Sequence, residues 1–144
     1  MDRPRTIADL ETALHCHAIA EPAQAALAAE YLAFLGLDAP VFERRHLAGH
    51  FTASAFVVSA DGERALLLHH AKLQRWLQPG GHADGDMDLA GVALREAEEE
   101  TGLGGLGVEG GIFDLDRHAI PARGAEPGHW HWDVRYVVRC TGDE

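Results

Sequence analysis

The sequence has few cysteines and no long apolar run. Its two cysteines, Cys16 and Cys140, form neither a Cys-x-x-Cys pair nor a spacing typical of a zinc site. We therefore expect free thiols in a reducing compartment, the cytoplasm. No stretch is apolar for long enough to span a bilayer, and the N-terminus lacks the pattern of a signal peptide. We expect neither a membrane protein nor a secreted one.

Basic residues are also scarce. The chain has 12 lysines and arginines against 23 aspartates and glutamates, which gives a formal net charge of −11. Such a charge argues against a nucleic-acid backbone or an anionic membrane as the main partner. It does not exclude a small molecule that carries phosphate, because bound cations can invert the local field. A small-molecule partner is therefore the expectation.

The residues that are present fit one globular domain. A chain of 144 residues, 47% of them hydrophobic, can bury a sizeable core. Helical periodicity from Thr6 to Gly36 predicts two helices, separated by Glu21 and by Pro22, which suits a first helical turn. We assign residues 1–48 to an N-terminal helical extension and residues 49–144 to the domain on which it packs. The extension serves either packing or dimerisation, so a homodimer is one expectation.

The middle of the chain predicts a hairpin, followed by further strands. Phe51–Ala60 has the pattern of a strand, and Asp61-Gly62 is a two-residue turn signal. Arg64–His70 would be the returning strand, and its continuous apolar run predicts burial on both faces. A connection from Lys72 then leads to a glycine loop. Farther along, Val108–Asp116 and Arg117–Ala122 predict two extended pieces.

A glycine-rich loop followed by an acidic helix is the most informative segment. Glycines in the loop Gly80–Asp88 allow a tight turn and a close approach to a ligand. Asp86 and Asp88 are the candidates for the helix N-cap, and Gly102 is placed to end the helix. The core-facing stripe of this helix is predicted to consist of Ala90, Leu94, Ala97 and Thr101.

Three glutamates fall on one face of this helix. At about 100° per residue, Glu96, Glu99 and Glu100 are neighbours, whereas Glu98 points away from them into solvent. Each like-charged pair destabilises a helix by about 0.2–0.5 kcal/mol, and the single Arg95 cannot neutralise three carboxylates. A hard divalent cation can, because it prefers oxygen ligands. The alternative is a merely solvated acidic face, but the upstream glycine loop favours a metal site.

The loop and the helix together resemble the signature of the Nudix hydrolases, G-x5-E-x7-R-E-U-x-E-E-x-G-U, in which U is a bulky apolar residue. Gly81 matches the opening glycine, and the other matching positions are Arg95, Glu96, Glu99, Glu100, Gly102 and Leu103. Ala97 is small where a bulky residue is usual. Met87 stands where the first glutamate belongs, and a one-residue adjustment of the loop would let Asp86 take over its role.

The resemblance implies a fold and a reaction. The fold would be α/β, a Nudix-type α/β/α sandwich with a mixed β-sheet, preceded here by the N-terminal helical segment. The chain is short at its C-terminus, where the family usually adds a strand and a helix. The family cleaves a nucleoside diphosphate linked to another moiety, by attack of water on a phosphoanhydride phosphorus with Mg²⁺ or Mn²⁺ bound. The alternative, which Met87 favours, is a degenerate module that binds a nucleotide or metabolite without cleaving it.

The resemblance also implies roles for particular residues. Glu99 and Glu100 would be direct metal ligands, Glu96 a third ligand or an aid to the base, and the backbone at Gly80 and Gly81 would complete the coordination. Arg95 would orient a glutamate through a bidentate ion pair. The general base would be Glu99, Glu100 or a loop carboxylate, for which Glu126 is the candidate.

The segment before the C-terminus supplies candidate substrate contacts. Its strict alternation places one set of side chains on one strand face, namely His129, His131, Asp133 and Arg135, and Trp130, Trp132 and Val134 on the other. The polar face lines either a substrate pocket or water, and the His-x-His-x-Asp spacing also suits a transition metal. Gly81 and His82 would lie near phosphate, His82 alternatively capping the loop. Trp76 would either stack on a base or pack.

Overall fold

A mixed five-stranded sheet forms the centre of the protein, which a computed structural model describes over residues 6–70 and 75–141. The strands are β1 (Gly49–Val58), β2 (Ala65–Leu66), β3 (Leu68–His70), β4 (Arg75–Leu77), β5 (Gly80–His82), β6 (Leu106–Ile120) and β7 (His129–Cys140). In the main sheet, β1 pairs in parallel with β7 and antiparallel with β2 and β5, and β6 and β7 are antiparallel. A separate two-stranded ribbon consists of β3 and β4.

The N-terminal helices lie where the periodicity predicts them. They are α1 (Ile7–Ala20) and α2 (Ala25–Leu35), separated by a 3₁₀ turn over Pro22–Gln24. α1 begins at a capping box, in which the Thr6 hydroxyl accepts a hydrogen bond from the Asp9 amide and the Asp9 carboxylate accepts one from the Thr6 amide. A mixed α/β fold preceded by N-terminal helices is thus confirmed.

One face of the sheet is apolar and carries α2. The Phe34 ring stacks on Trp132 at a centroid distance of 4.1 Å, and it also contacts Phe51 at 5.2 Å. The Tyr31 hydroxyl donates a hydrogen bond of 2.6 Å to the backbone carbonyl of Asp133. The N-terminal helices therefore share one hydrophobic core with the sheet.

The helix α3 (Leu89–Thr101) packs on the same apolar face. The Asp88 side chain caps its N-terminus by accepting a hydrogen bond from the Gly91 amide, and Gly102 ends it with a φ of 74°. In the predicted core stripe, Ala90 and Ala97 are fully buried, Leu94 packs against the core while partly buried, and Thr101 is partly buried. The helix presents a broader surface to the sheet, and its fully buried residues are Leu89, Ala90, Val92, Ala93 and Ala97.

Two strand predictions are wrong. The returning strand predicted over Arg64–His70 is divided between β2 and β3, and Leu67 between them is 43% exposed, because β2 is a two-residue edge strand rather than a covered one. The two extended pieces predicted after Val108 form the single strand β6. A bulge at Gly110, which has a φ of 72°, accommodates the irregularity while the pairing with β7 continues.

Three further expectations concern the cysteines, membrane-spanning helices and the segments at 72 and at the C-terminus. Cys16 is an exposed free thiol, and Cys140 is buried. No helix among residues 6–70 and 75–141 has the length and apolarity needed to cross a membrane. The start of the connection predicted from Lys72, and the end of the chain at 142–144, lie outside the described residues.

Candidate active site

The second face of the sheet is polar, and strand pairing arranges it in rows. The predicted alternation of β7 is confirmed, since His129, His131, Asp133 and Arg135 share this face. The register places three side chains in each cross-strand row, and the rows are His50–His131–His118, Thr52–Asp133–Asp116 and Ser54–Arg135–Asp114. His82 on β5 pairs with Thr52 from the other side of β1. This face of the sheet therefore carries imidazoles, hydroxyls, carboxylates and one guanidinium.

Asp133 lies at the centre of this face and is only 6% exposed. Its carboxylate accepts hydrogen bonds from Thr52 Oγ1 at 2.8 Å and from Ser54 Oγ at 2.6 Å. Burial raises the pKa of Asp133, whereas the two hydroxyls and Arg135 lower it. Asp133 and His129 of this strand face are thus buried, whereas His131 and Arg135 are partly exposed.

Arg135 joins the carboxylates of three strand residues. Its guanidinium nitrogens lie 3.0 Å from Asp114, 2.9 Å from Asp116 and 3.4 Å from Asp133. These ion pairs hold the side chain in place and compensate its charge. A role in substrate binding stays a prediction, and the observed contacts identify Arg135 as the residue that organises the acidic part of the face.

A cavity of about 600 Å³ covers part of this polar face. Trp76 lies at its rim with 66% of the residue exposed, so little of the ring is packed, and its role in base stacking stays a prediction. The centroid of its ring lies 5.0 Å from that of His69, its cross-strand partner in the ribbon of β3 and β4. This ribbon is separate from the main sheet. The polar lining consists of Thr52, Ser54, Gln78, His82, His118, His131, Asp133 and Arg135, together with the backbone of Gly80 and Gly81.

The carboxylates of α3 meet the glycine loop beside this cavity. Glu100 accepts a hydrogen bond of 3.0 Å from the Gly80 amide. Glu96 lies against Gly81 so closely that a Cβ atom on Gly81 would be 2.5 Å from Glu96 Oε1. Glu98 is exposed, as predicted. The spacing of the signature thus brings two of the three glutamates directly to the loop.

The electrostatics of these glutamates fit a cation. Burial raises the pKa of Glu96 and of Glu100, and the negative charge of Glu99 raises both further. Carboxylate oxygens are ligands that Mg²⁺ and Mn²⁺ prefer. A bound cation would also relieve the repulsion between the carboxylates. Within the described residues, however, the three carboxylates do not lie within 4.8 Å of one another, so the ligands are not preassembled.

Arg95 and the loop acids differ from the prediction. Arg95 lies 3.9 Å from Glu96 and 3.7 Å from Asp86, so the expected bidentate pair is replaced by two long contacts. This geometry follows from its half-exposed position between the helix and the loop. Met87 packs partly buried against the core. Its aliphatic side chain therefore has a structural explanation, and the acid that faces Arg95 from the loop is Asp86.

Five histidines converge on the neighbouring part of the polar face. Ring centroids of His50, His82 and His131 lie 5.1–5.2 Å apart, with His129 and His118 adjoining them. Burial and the surrounding imidazoles lower the pKa of His131 to about 3. Burial also lowers the pKa of His82 and that of His50, the latter opposed in part by the nearby carbonyl of His46.

His50 is the member that sequence reasoning missed. It directly precedes the predicted strand and continues the alternation of Thr52 and Ser54. This alternation could have placed His50 on the polar face of the strand. Its partners lie on other strands and cannot be inferred from that alternation. The predicted His-x-His-x-Asp ligand set does not converge, because Asp133 is bonded to the two hydroxyls and His131 instead joins His50 and His82.

Glu126 lies on the histidine side of the site. It belongs to a turn in which Arg123 and Glu126 pair, and its carboxylate is 3.8 Å from His129 Nδ1. It lines a second cavity of about 350 Å³, shared with Arg44, His50, His82, His129 and His131. Its assignment as the general base stays a prediction.

The tight contact at Gly81 leads to a prediction. Gly81→Ala is expected to lower both Mg²⁺ affinity and metal-dependent turnover, because the added methyl group displaces the Glu96 carboxylate. The expected loss is about 10–100-fold, the usual effect of disturbing a group that orients a metal ligand. The fold should survive, since the atoms that must move belong to the end of a flexible side chain. Calorimetric Mg²⁺ titration and circular dichroism measure the two effects.

The matched control for this substitution is Gly104→Ala, since a Cβ atom there meets nothing within 4 Å. It should leave both quantities unchanged. Parent-like Mg²⁺ affinity in Gly81→Ala would show that Glu96 does not need its observed position.

Comparison with known proteins identifies the family. The profile of the NUDIX domain matches residues 49–143, and the chain belongs to this family. Among solved structures, it is similar to the crystal structure of the C. elegans Ap4A hydrolase, with 21% sequence identity and a TM-score of 0.39 over 60% of this chain and 67% of that one. No curated protein matches the chain significantly.

Proposed function

We propose that this Nudix protein is a metal-dependent hydrolase that cleaves a phosphoanhydride bond in a nucleoside diphosphate linked to another moiety. The observation that carries the proposal is the meeting of Glu96 and Glu100 with the Gly80–Gly81 backbone beside a polar cavity of about 600 Å³. A cavity of this size accommodates a small-molecule ligand.

The glutamates of α3 would hold the metal. The proposed ligands of Mg²⁺ or Mn²⁺ are Glu96, Glu99 and Glu100. The bound ion would neutralise phosphate charge and lower the pKa of a coordinated water molecule. The Gly80 amide restrains the Glu100 carboxylate, and Arg95 reduces the repulsion between Glu96 and its neighbours. These contacts restrain Glu100 and Glu96 individually, and a bound cation would draw the three carboxylates together.

The rest of the cavity would bind the organic part of the substrate. The exposed ring of Trp76 at the rim can stack on a base, a contact that aromatic rings make with any planar π-system. His82, His131 and Arg135 offer polar contacts on the floor, and the pairing of Arg135 with three aspartates holds that floor rigid. Gly81 permits close approach of a phosphate because it lacks a side chain.

The proposal that Glu126 is the general base has its own test. Glu126→Gln is expected to lower kcat by about 10²-fold, because loss of a positioned base removes this much acceleration. The control is Glu63→Gln, which changes another exposed loop glutamate. Steady-state kinetics at saturating Mg²⁺ measures the effect, and a change below threefold would transfer the role of base to Glu99 or Glu100.

An activity panel tests the proposed function itself. The full chain is assayed with nucleoside triphosphates, ADP-ribose, dinucleotides and nucleotide sugars, each with Mg²⁺ and with Mn²⁺, and products are identified by chromatography. Release of a nucleoside monophosphate or diphosphate that requires the metal is the expected result. Calorimetric binding of a nucleotide without product release would instead select the non-hydrolytic alternative, for which the packed Met87 is the supporting observation.

A further inference from the structure

We propose that His50, His82 and His131 form a second metal site, which takes a first-row transition-metal ion such as Zn²⁺ and is separate from the carboxylates of α3. Each of the three residues lies on a different strand of the sheet, namely β1, β5 and β7. Strand pairing holds their backbones, because His50 is directly opposite His131 and His82 is paired with Thr52. This inference does not depend on the proposed hydrolase activity.

The spacing of the ring nitrogens suits a shared ion. One nitrogen from each of the three rings lies within 4.8 Å of the other two, and no other histidine, cysteine or carboxylate trio among residues 6–70 and 75–141 is as close. A tetrahedral zinc ion with bonds of about 2.0–2.1 Å places its nitrogen ligands about 3.3 Å apart. Small rotations of the rings about their side-chain bonds close the difference.

His50 supplies an independent indication that a partner belongs here. The residue is 4% exposed, and neither of its ring nitrogens makes a hydrogen bond of regular geometry with any described group. Leaving a buried polar atom unsatisfied is costly, so such atoms in native proteins call for a ligand. The ring lies 5.2 Å from those of His82 and His131 and lines the cavity of about 350 Å³. The buried ring of His50 therefore lies against the two other rings of the proposed site.

A hydrogen-bond chain orients the third ligand. The Pro127 carbonyl can only accept, so His129 Nδ1 donates to it at 3.0 Å. In neutral His129, Nε2 is then an acceptor, and the contact of 3.2 Å requires His131 Nε2 to donate. The remaining lone pair of His131 is consequently on Nδ1. An outer partner that fixes the tautomer in this way is typical of a metal-bound imidazole.

The chemistry of the donors selects the ion. Imidazole nitrogen suits zinc, copper, nickel and iron, whereas Mg²⁺ and Ca²⁺ require oxygen ligands. Arg44, whose positive charge acts on His50, is paired with Asp84 by hydrogen bonds of 2.8 and 2.9 Å, which compensates that charge. Three protein ligands leave a fourth coordination position, as in zinc sites that also bind water or a small ligand.

The test measures metal binding directly. The full chain is freed of metal with a chelator, the chelator is removed, and Zn²⁺ is titrated by calorimetry while Co²⁺ is titrated by visible absorption. We expect one tight site per chain and the ligand-field bands of four-coordinate Co²⁺. His50→Gln, His82→Gln and His131→Gln should each weaken Zn²⁺ binding by at least about 100-fold, since even outer groups contribute 10–100-fold.

Controls separate this site from other donors. His15→Gln removes an exposed histidine of α1 and should leave Zn²⁺ affinity unchanged. Glu99→Gln should also leave it unchanged while weakening Mg²⁺ binding. Circular dichroism verifies folding, and His82→Gln, at a partly exposed position, remains informative if His50→Gln fails to fold. The absence of a tight site, or loss of Zn²⁺ binding in Glu99→Gln rather than in the histidine variants, would overturn the proposal.

Discussion

Replacement of Glu99 or Glu100 by glutamine is expected to lower metal-dependent phosphoanhydride hydrolysis by at least about 10³-fold. A bound metal supplies several kcal/mol of charge stabilisation in the transition state, and each 1.36 kcal/mol is a factor of ten in rate. Glutamine keeps the size and the helix propensity of glutamate, so the fold should be retained. Steady-state turnover with Mg²⁺ and with Mn²⁺ measures the effect.

Glu98→Gln is the matched control, because Glu98 belongs to the same helix turn and helical spacing directs it away from the other three glutamates. Its turnover should stay within about twofold of the parent, in keeping with the small effects of most surface substitutions. Near-normal turnover in either Glu99→Gln or Glu100→Gln would remove that residue from the metal ligands. Equal losses in all three variants would indicate a general charge effect instead.

Phe34→Ala is expected to lower the free energy of unfolding by about 3–5 kcal/mol, the usual cost of truncating a buried phenylalanine. The ring is 7% exposed and stacks on Trp132 of β7, so its removal opens a cavity between α2 and the sheet. Urea unfolding followed by tryptophan fluorescence and by circular dichroism measures the loss. The two probes should report one transition, since the helices and the sheet share a core.

Phe113→Ala is the control for this substitution. Phe113 is 48% exposed and stacks on Phe56, so the expected loss is about 1 kcal/mol, within the range measured for aromatic pairs. A loss of this size for Phe34→Ala as well would mean that the N-terminal helices contribute little to the stability of the domain. Two separate transitions would show that they unfold independently of the sheet.

The helix α3 shows how much local sequence can predict. The N-cap at Asp88, the left-handed Gly102 and the shared face of the glutamates all follow from interactions within a few residues. The buried stripe is less predictable, since Val92 and Ala93 became core residues through the angle at which the helix meets the sheet. Similarly, the alternation of β7 identified its polar face, but burial of Asp133 depends on hydroxyls from β1.

Errors in the strands have a common physical origin. The apolar run over Arg64–His70 resembles a covered strand, yet position at the edge of the sheet leaves Leu67 exposed. The sequence leaves both packing and base stacking open for Trp76, and its exposure follows from its place on a ribbon separate from the main sheet. Burial of a strand residue depends on which elements lie above it, and a periodic pattern contains no information about them.

By itself, the sequence predicted the boundaries of the acidic helix and two carboxylates that contact the glycine loop, and its resemblance to a family signature predicted the class of the fold. These features depend on caps, periodicity and spacing within one segment. Only the tertiary structure brought together His50, His82 and His131, which lie up to 81 positions apart. Their meeting requires the parallel register of β1 with β7 and the antiparallel register of β1 with β5. The packing of the whole domain sets these pairings. Backbone hydrogen bonds alone cannot select them, because nearly every residue has the same backbone donor and acceptor.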